Sequence, residues 1–309
     1  MTILCVSNVV VGLASACFIP AATSLVPDVV STEHLERGNA AHQFCGVGGR
    51  IVGQGIGGLI FTTMGAFGAM TMNALSFFTS AALESRIKVN KPASHKESES
   101  LGTTLRMTVA LLRRTCKEPV MQRLLLFIAV FHLCLSVLPV SLPFYVEHVL
   151  DLPVSWFGFF VGSYTLGIML GFILAGFLPK KRGRFMTIAA AGLGVGGMFG
   201  VVAIFDVAWA ALPSLICIGI GIGVIIVNLM TELQLQAPQN QRAGIMGVAH
   251  AVGGSSLPIG MALTGIVIDI LGSCGVTYGH AVQILLGISA VCTVTAGIAA
   301  LTMNKRVSC

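Results

Sequence analysis

Nine runs of this chain, at residues 3–26, 39–62, 66–83, 122–146, 156–178, 185–205, 209–233, 243–271 and 281–303, are apolar over the length a helix needs to cross a bilayer. That length is roughly 20 residues, because a helix rises about 1.5 Å per residue against a hydrocarbon core of about 30 Å. In lipid each backbone N–H and C=O must find its partner inside the protein, and a helix does this within its own segment. The expected fold class is therefore an all-α polytopic membrane protein. Composition agrees, since only 10% of the 309 residues are charged, against about a quarter in a soluble domain. So few charges cannot clothe a soluble globule of this size, which excludes a cytosolic enzyme, a nucleic-acid binder and a disordered chain. The bilayer is the first expected partner.

The 37 glycines suit helices that pack closely. The run Gly192-x-Gly194-x-Gly196-Gly197 lies inside an apolar span with no strand before it, so it reads as helix packing rather than a dinucleotide loop. The nine cysteines are scattered singly, without a CxxC or a Cys/His pair at zinc spacing. They read as small buried hydrophobes, and neither a metal nor a bound cofactor is expected. The chain starts Met1-Thr2-Ile3-Leu4 with no basic stretch, and the apolar run continues to residue 27. It reads as a span rather than a cleavable leader.

The cations give an independent check on this segmentation. With strictly alternating spans, 17 of the 18 Lys and Arg fall on one side, in 27–38, 84–123, 179–184, at Arg242 and in the tail. The opposite connections carry Glu147, Asp151, Asp206 and two histidines. By the positive-inside rule the cation-bearing side is cytoplasmic. This predicts an inner-membrane protein with its C-terminus in the cytoplasm and, the span count being odd, Met1 outside.

Residues 1–84 form a first bundle of three helices, 85–121 a linker, and 122–309 a six-helix bundle. The linker holds Ser94-His95-Lys96-Glu97-Ser98-Glu99-Ser100 and then an amphipathic stretch from Leu101 to Val120, expected to lie on the membrane surface. The two bundles echo each other. Leu35-Glu36-Arg37-Gly38-Asn39-Ala40 and Gln241-Arg242-Ala243-Gly244-Ile245-Met246 each introduce a glycine-rich helix, and His42 and His250 follow at nearly the same offset. Duplicated bundles joined by a linker are a transporter arrangement.

Over nearly its whole length the chain resembles the major facilitator superfamily, in particular its macrolide-efflux and enterobactin-exporter-like branch. The likeness rests on Pro20-Ala21-Ala22, Leu25 to Asp28, Leu35 to Ala40, Gly158 to Gly171, Gln236-Ala237-Pro238 and Arg242 to Gly247. Aligned in this way, the first segment resembles the family's fourth helix and the last its twelfth, so the first three helices have no counterpart here. Gly49, Gly53, Gln54, Gly57 and Gly58 resemble the antiporter motif of the fifth helix, with Gln54 where the family prefers proline. Asn8 stands where many relatives carry an arginine tied to proton coupling. Lys180, Lys181, Arg182 and Arg184 resemble a weaker copy of the family's cytoplasmic gate loop. The resemblance implies proton-driven efflux of amphipathic small molecules, with the proton gradient in place of a cofactor.

A charge at membrane depth costs about 2.5–3.5 kcal/mol on insertion scales, so each one needs a reason. Arg50 is a candidate for a coupling or substrate-anion site, or for a structural cation on helix-end carbonyls. Glu232, with Asn228 one turn earlier, is a candidate carboxylate at the cytoplasmic mouth or a solvated helix end. Asp269 is a candidate for outer proton uptake or an interfacial residue. His132 has Ser136 one turn on and Pro139 and Pro143 beyond, and suits a proton relay or a packing role. Phe131, Phe144, Tyr145, Trp156 and Tyr164 are candidates for a substrate wall or for lipid-facing and interfacial positions.

Three functions follow in order. The first is proton-coupled efflux of a drug-, macrolide- or siderophore-like molecule. The second is a truncated, non-transporting remnant or a subunit completed by a second polypeptide, and the third is a lysophospholipid flippase. An intramembrane hydrolase lacks a paired nucleophile and base.

Overall fold

The computed structural model describes residues 2–86, 118–153, 156–178, 183–239 and 241–307. Of the amphipathic stretch expected from Leu101 to Val120, residues 101–117 lie outside them. Helix α1 spans Thr2–Val29, and a 3-10 turn at Thr32–His34 leads into α2, Leu35–Glu84. After the linker come α3 (Pro119–Leu135), α4 (Val137–Phe144) and a π turn (Tyr145–Val149). The remainder is α5 (Phe157–Phe177), α6 (Arg184–Ile204), α7 (Ala208–Gln236), α8 (Arg242–Ser273) and α9 (Tyr278–Val307). No strand occurs among the described residues.

The nine apolar runs of the sequence all fall on these elements. Runs 39–62 and 66–83 share α2, which is 50 residues long and broken at Gly65, where φ is 67° and ψ −177°. A side chain resists that φ, so glycine separates the two arms. Six stretches are long and apolar enough to cross a membrane among the described residues: Pro119–His148 and helices α5 to α9.

The span Pro119–His148 is a broken helix, as its prolines predict. The α-helix is interrupted at Ser136, resumes as α4 and widens into a π turn closed by Leu150 N–H donating to the Tyr145 carbonyl at 3.0 Å. Proline lacks an N–H and crowds the preceding turn, which lets the backbone take a wider loop after Pro143. The π turn aims Tyr145 into the core, where it is 1% exposed and donates its hydroxyl hydrogen to the Phe205 carbonyl at 3.0 Å. Phe131 is buried as well. These two aromatics are core residues rather than lipid-facing ones.

Helices α3 to α9 form one packed body whose centre is α7, along which Leu215, Ile218, Ile222, Ile225 and Leu233 are almost fully buried. Small residues set the spacing of its helices. A Cβ added at Gly167 or Gly171 of α5 would run into the carbonyls of Ile216 and Ile220 on α7, and one at Gly219 of α7 into the Tyr164 carbonyl. Gly192 of α6 lies against Gly297 of α9, with its missing Cβ 3.1 Å from that Cα. Gly196 is equally confined, while Gly194 and Gly197 have nothing within 4 Å. Apolar lipid gives helices no hydrophobic reason to associate, so this close backbone approach supplies much of the packing attraction.

Gly171→Ala is expected to push α5 from α7 and cost about 1–3 kcal/mol, read as a lower thermal unfolding midpoint in detergent. Gly158→Ala, whose added Cβ would meet nothing within 4 Å, is expected to leave that midpoint unchanged or raise it slightly.

Candidate functional site

Helices α1 and α2 meet the larger body along a seam: α1 packs on α8, and α2 on α5 and α7. Among the described residues, the polar ties across this seam join the end of α1 and the start of α2 to the end of α5, the start of α6, the end of α7 and the start of α8, and Thr23 of α1 also meets His250 two turns into α8. All these ends belong to the cation-bearing side.

At its centre Asn39 of α2 and Gln234 of α7, 2% and 0% exposed, face each other as two amides. Asn39 Nδ2 donates to Gln234 Oε1 at 2.6 Å, and Gln234 Nε2 donates back to Asn39 Oδ1 at 3.1 Å. Each nitrogen has a second hydrogen. That of Asn39 goes to Thr231 Oγ1 at 2.8 Å, and that of Gln234 to the Thr23 carbonyl at 2.8 Å. Every N–H of the pair is used, which is what a buried polar group needs in an apolar setting.

Charges surround this neutral centre. Arg184 donates from Nε to Glu36 Oε1 at 2.8 Å, and its Nη1 lies 3.6 Å from Glu232 Oε2. Glu232 also accepts from Gln236 Nε2 at 2.9 Å. The two arginines of the repeated motif both seat on helix ends, where the unpaired carbonyls favour a cation. Arg37 donates to the Gly176 carbonyl at 3.2 Å, with its guanidinium 5.8 Å from the Phe177 ring centre. Arg242 donates to the Gln234 carbonyl at 3.1 Å and to Asp28 at 3.2 Å.

Of the residues singled out from the sequence, Glu232 and Arg184 thus meet in one network, and Glu232 is a buried, paired carboxylate. Asn228 is buried one turn earlier, but its Nδ2 donates to the Val224 carbonyl of its own helix at 2.9 Å. His132 of α3 donates from Nδ1 to the Ile128 carbonyl at 2.8 Å and packs against Gly253 of α8. Arg50 and Asp269 are exposed and apart from the seam network. Gly49 and Gly53 are exposed and have open space where a Cβ would be. The side chains at Asn8, Gln54, Gly57 and Gly58, and the residues Lys180, Lys181 and Arg182, lie outside what the structure describes.

Sequence reasoning missed Thr23, Glu36, Asn39, Thr231 and Gln234. Their signal was the polar spacing Thr231-Glu232-x-Gln234-x-Gln236 at the end of an apolar helix, opposite the motif carrying Glu36, Arg37 and Asn39. A concavity of about 790 Å³ lies between α5, α6 and α7, lined by Leu174, Met186, Met198, Ile220 and other mostly apolar residues. It holds no charged group and takes no part in the seam. Among the described residues no cluster of His, Cys, Asp and Glu is arranged to hold a metal ion.

A bundle of membrane-crossing helices, with a smaller helical part tied to it by a fully paired polar seam, defines a two-part helical transporter fold. The Major Facilitator Superfamily profile matches residues 1–261, and the chain belongs to that family. Two solved structures share its fold. A bacterial homologue of the iron transporter ferroportin, in an outward-facing state, is 16% identical with a TM-score of 0.71, covering 91% of this chain and 67% of its own. The human organic anion transporter MFSD10 (TETRAN) is 14% identical with a TM-score of 0.74, at the same coverages of 91% and 67%. No curated protein gives a significant match.

Replacing Asn39 with Leu leaves Gln234 and Thr231 short of a buried partner, at about 1–3 kcal/mol per unsatisfied group. Asn39→Leu and Gln234→Leu are each expected to lower the unfolding midpoint. The double variant is expected to lose less than the sum, which a double-mutant cycle measures.

Proposed function

We propose that this chain carries out secondary active transport: proton-coupled efflux of amphipathic small molecules of drug, macrolide or siderophore type, by alternating access across the bacterial inner membrane. Family membership supports transport and membrane placement. The observation that carries the finer reading is the confinement of the polar ties between the two parts to their cation-bearing ends. If that side is cytoplasmic, the network of Asn39, Gln234, Arg184, Glu36, Arg242 and Asp28 is an inner gate in its closed form. Opening it requires these ties to break together, and rocking of α1 and α2 against the larger body would do so. A gate of this kind is bistable, since half-broken buried pairs are worse than either end state.

One observation favours a second reading. The second arm of α2 presents Phe67, Phe77 and Phe78 at 85%, 64% and 74% exposure, and its neighbours from Thr71 to Glu84 are exposed too. On this reading the chain transports only when further helices, from the same or another polypeptide, cover that arm.

The test is flux of ethidium, an amphipathic cation, in proteoliposomes under an imposed pH gradient. The first reading expects gradient-dependent flux that a proton ionophore abolishes. Arg242→Ala, which removes the bonds to Asp28 and to the Gln234 carbonyl, is expected to reduce that flux at least about tenfold, one interaction of about 1.4 kcal/mol being a tenfold change. Flux only in a matched chain bearing three upstream helices would select the second reading. Flux indifferent to the gradient in both chains would overturn proton coupling.

A further inference from the structure

Three imidazoles from three helices share one neighbourhood beside the seam. His250 of α8 is within electrostatic reach of His42 on α2 and His132 on α3. Its hydrogen bonding fixes which ring nitrogen carries the hydrogen. The Thr23 hydroxyl has one hydrogen, which it donates to the Ile19 carbonyl at 2.7 Å. Its 3.3 Å contact with His250 Nε2 therefore has the ring N–H as donor and the hydroxyl oxygen as acceptor. A neutral imidazole carries a single N–H, so the lone pair of His250 is on Nδ1.

His132 is set the other way round. Its Nδ1–H donates to the Ile128 carbonyl at 2.8 Å, because a carbonyl can only accept, and the lone pair is on Nε2. That Nε2 lies over Gly253, where an added Cβ would sit 3.2 Å from it. Gly253 and His250 are three residues apart and share a face of α8. Glycine at 253 thus keeps the open nitrogen of His132 close to the turn that carries His250.

We propose that His250 is a proton-binding site, taking a proton at Nδ1 while Thr23 holds the ring in the tautomer that leaves Nδ1 free. The proton arrives from water between the two parts and forms an N–H bond with the Nδ1 lone pair, and the ring becomes an imidazolium of charge +1. The Nε2–H bond to Thr23 then becomes charge-assisted and about twice as strong. Occupancy of the site is thereby read across the contact of α1 with α8, in the sense of tightening it. On release the N–H bond at Nδ1 breaks and the proton returns to water.

His42 and His132 are the ionisable groups whose charge bears on His250. From α1 comes Thr23, which does not titrate, with Asp28 further along already paired to Arg242. From α7 comes Glu232, paired to Arg184 and Gln236. The proposal rests on reading the seam as a gate, and it names the group that reports proton occupancy to that gate.

Nitrogen NMR of the full chain tests it, with isotopically labelled histidine in nanodiscs of phosphatidylethanolamine and phosphatidylglycerol, titrated from about pH 8 to about pH 5. One ring is expected to keep Nε2 protonated throughout while its Nδ1 signal moves from the unprotonated to the protonated range. His250→Gln, which retains an N–H donor for Thr23, is expected to lose that titrating signal. Thr23→Val leaves His250 in place and is expected to let the Nδ1–H tautomer appear at neutral pH, so a failure of the first variant to fold does not remove the test. An Nδ1 that stays unprotonated to the acid limit, or a Thr23→Val tautomer identical to wild type, overturns the proposal. The outcome separates from the transport reading: gradient-driven ethidium flux without a titrating His250 sinks this site alone, and a titrating His250 without flux sinks only the transport reading.

Discussion

The hydrocarbon core of a bilayer offers no hydrogen bonds, and every other feature of this structure answers to that. Each backbone group must be paired within its own helix, so the chain is built from helices and the breaks in them are few and local. The interruptions at Gly65, at Ser136 and at the π turn after Pro143 each have a residue-level cause. Side chains obey the same rule, and Asn39 and Gln234 are tolerated in a buried position because each spends both amide hydrogens on a partner.

With polar groups thus settled, attraction between helices comes from contact, and contact depends on how closely backbones approach. Gly167, Gly171, Gly192, Gly196 and Gly219 are placed where a methyl group would strike a neighbouring carbonyl or Cα. The larger body is accordingly knitted through its backbone, whereas α1 and α2 are held to it by hydrogen bonds and ion pairs near one end, beside an apolar cluster of Ala40 with Phe172, Ala175, Val224 and Val227. Two kinds of cohesion divide the molecule: close backbone packing within the body, and a polar clasp with a small apolar cluster between the parts.

Much of this was legible from the sequence, because bilayer thickness converts directly into segment length. The apolar runs landed on helices, and Gly192 and Gly196 met close neighbours as a packing motif should. The broken helix around Pro139 and Pro143 was also foreseen from chemistry local to the chain. The seam was harder to see. Asn39 and Gln234 are 195 positions apart, and neither is unusual among its sequence neighbours; only the fold brings their amides together. Phe131 and Tyr145 show the same difficulty, since an aromatic residue in an apolar span looks alike whether it faces lipid or the core. Arg50 and Asp269 drew attention by charge alone, and both are exposed, while the paired charges of Glu36 and Asp28 sit at helix ends where charge is expected.

The clasp has a neutral centre and a charged rim, and the two respond to different surroundings. Ion pairs such as Arg184 with Glu36, and Arg242 with Asp28, are partly open to solvent, so dissolved salt screens them over a Debye length of about 8 Å at physiological ionic strength. The amide pair carries no net charge and is closed to water, so ionic strength barely touches it, and an electric field across the membrane does no net work on it. A rise in ionic strength on the side of the clasp would therefore loosen the rim while the centre stays shut, leaving the parts aligned for the rim to re-form in register.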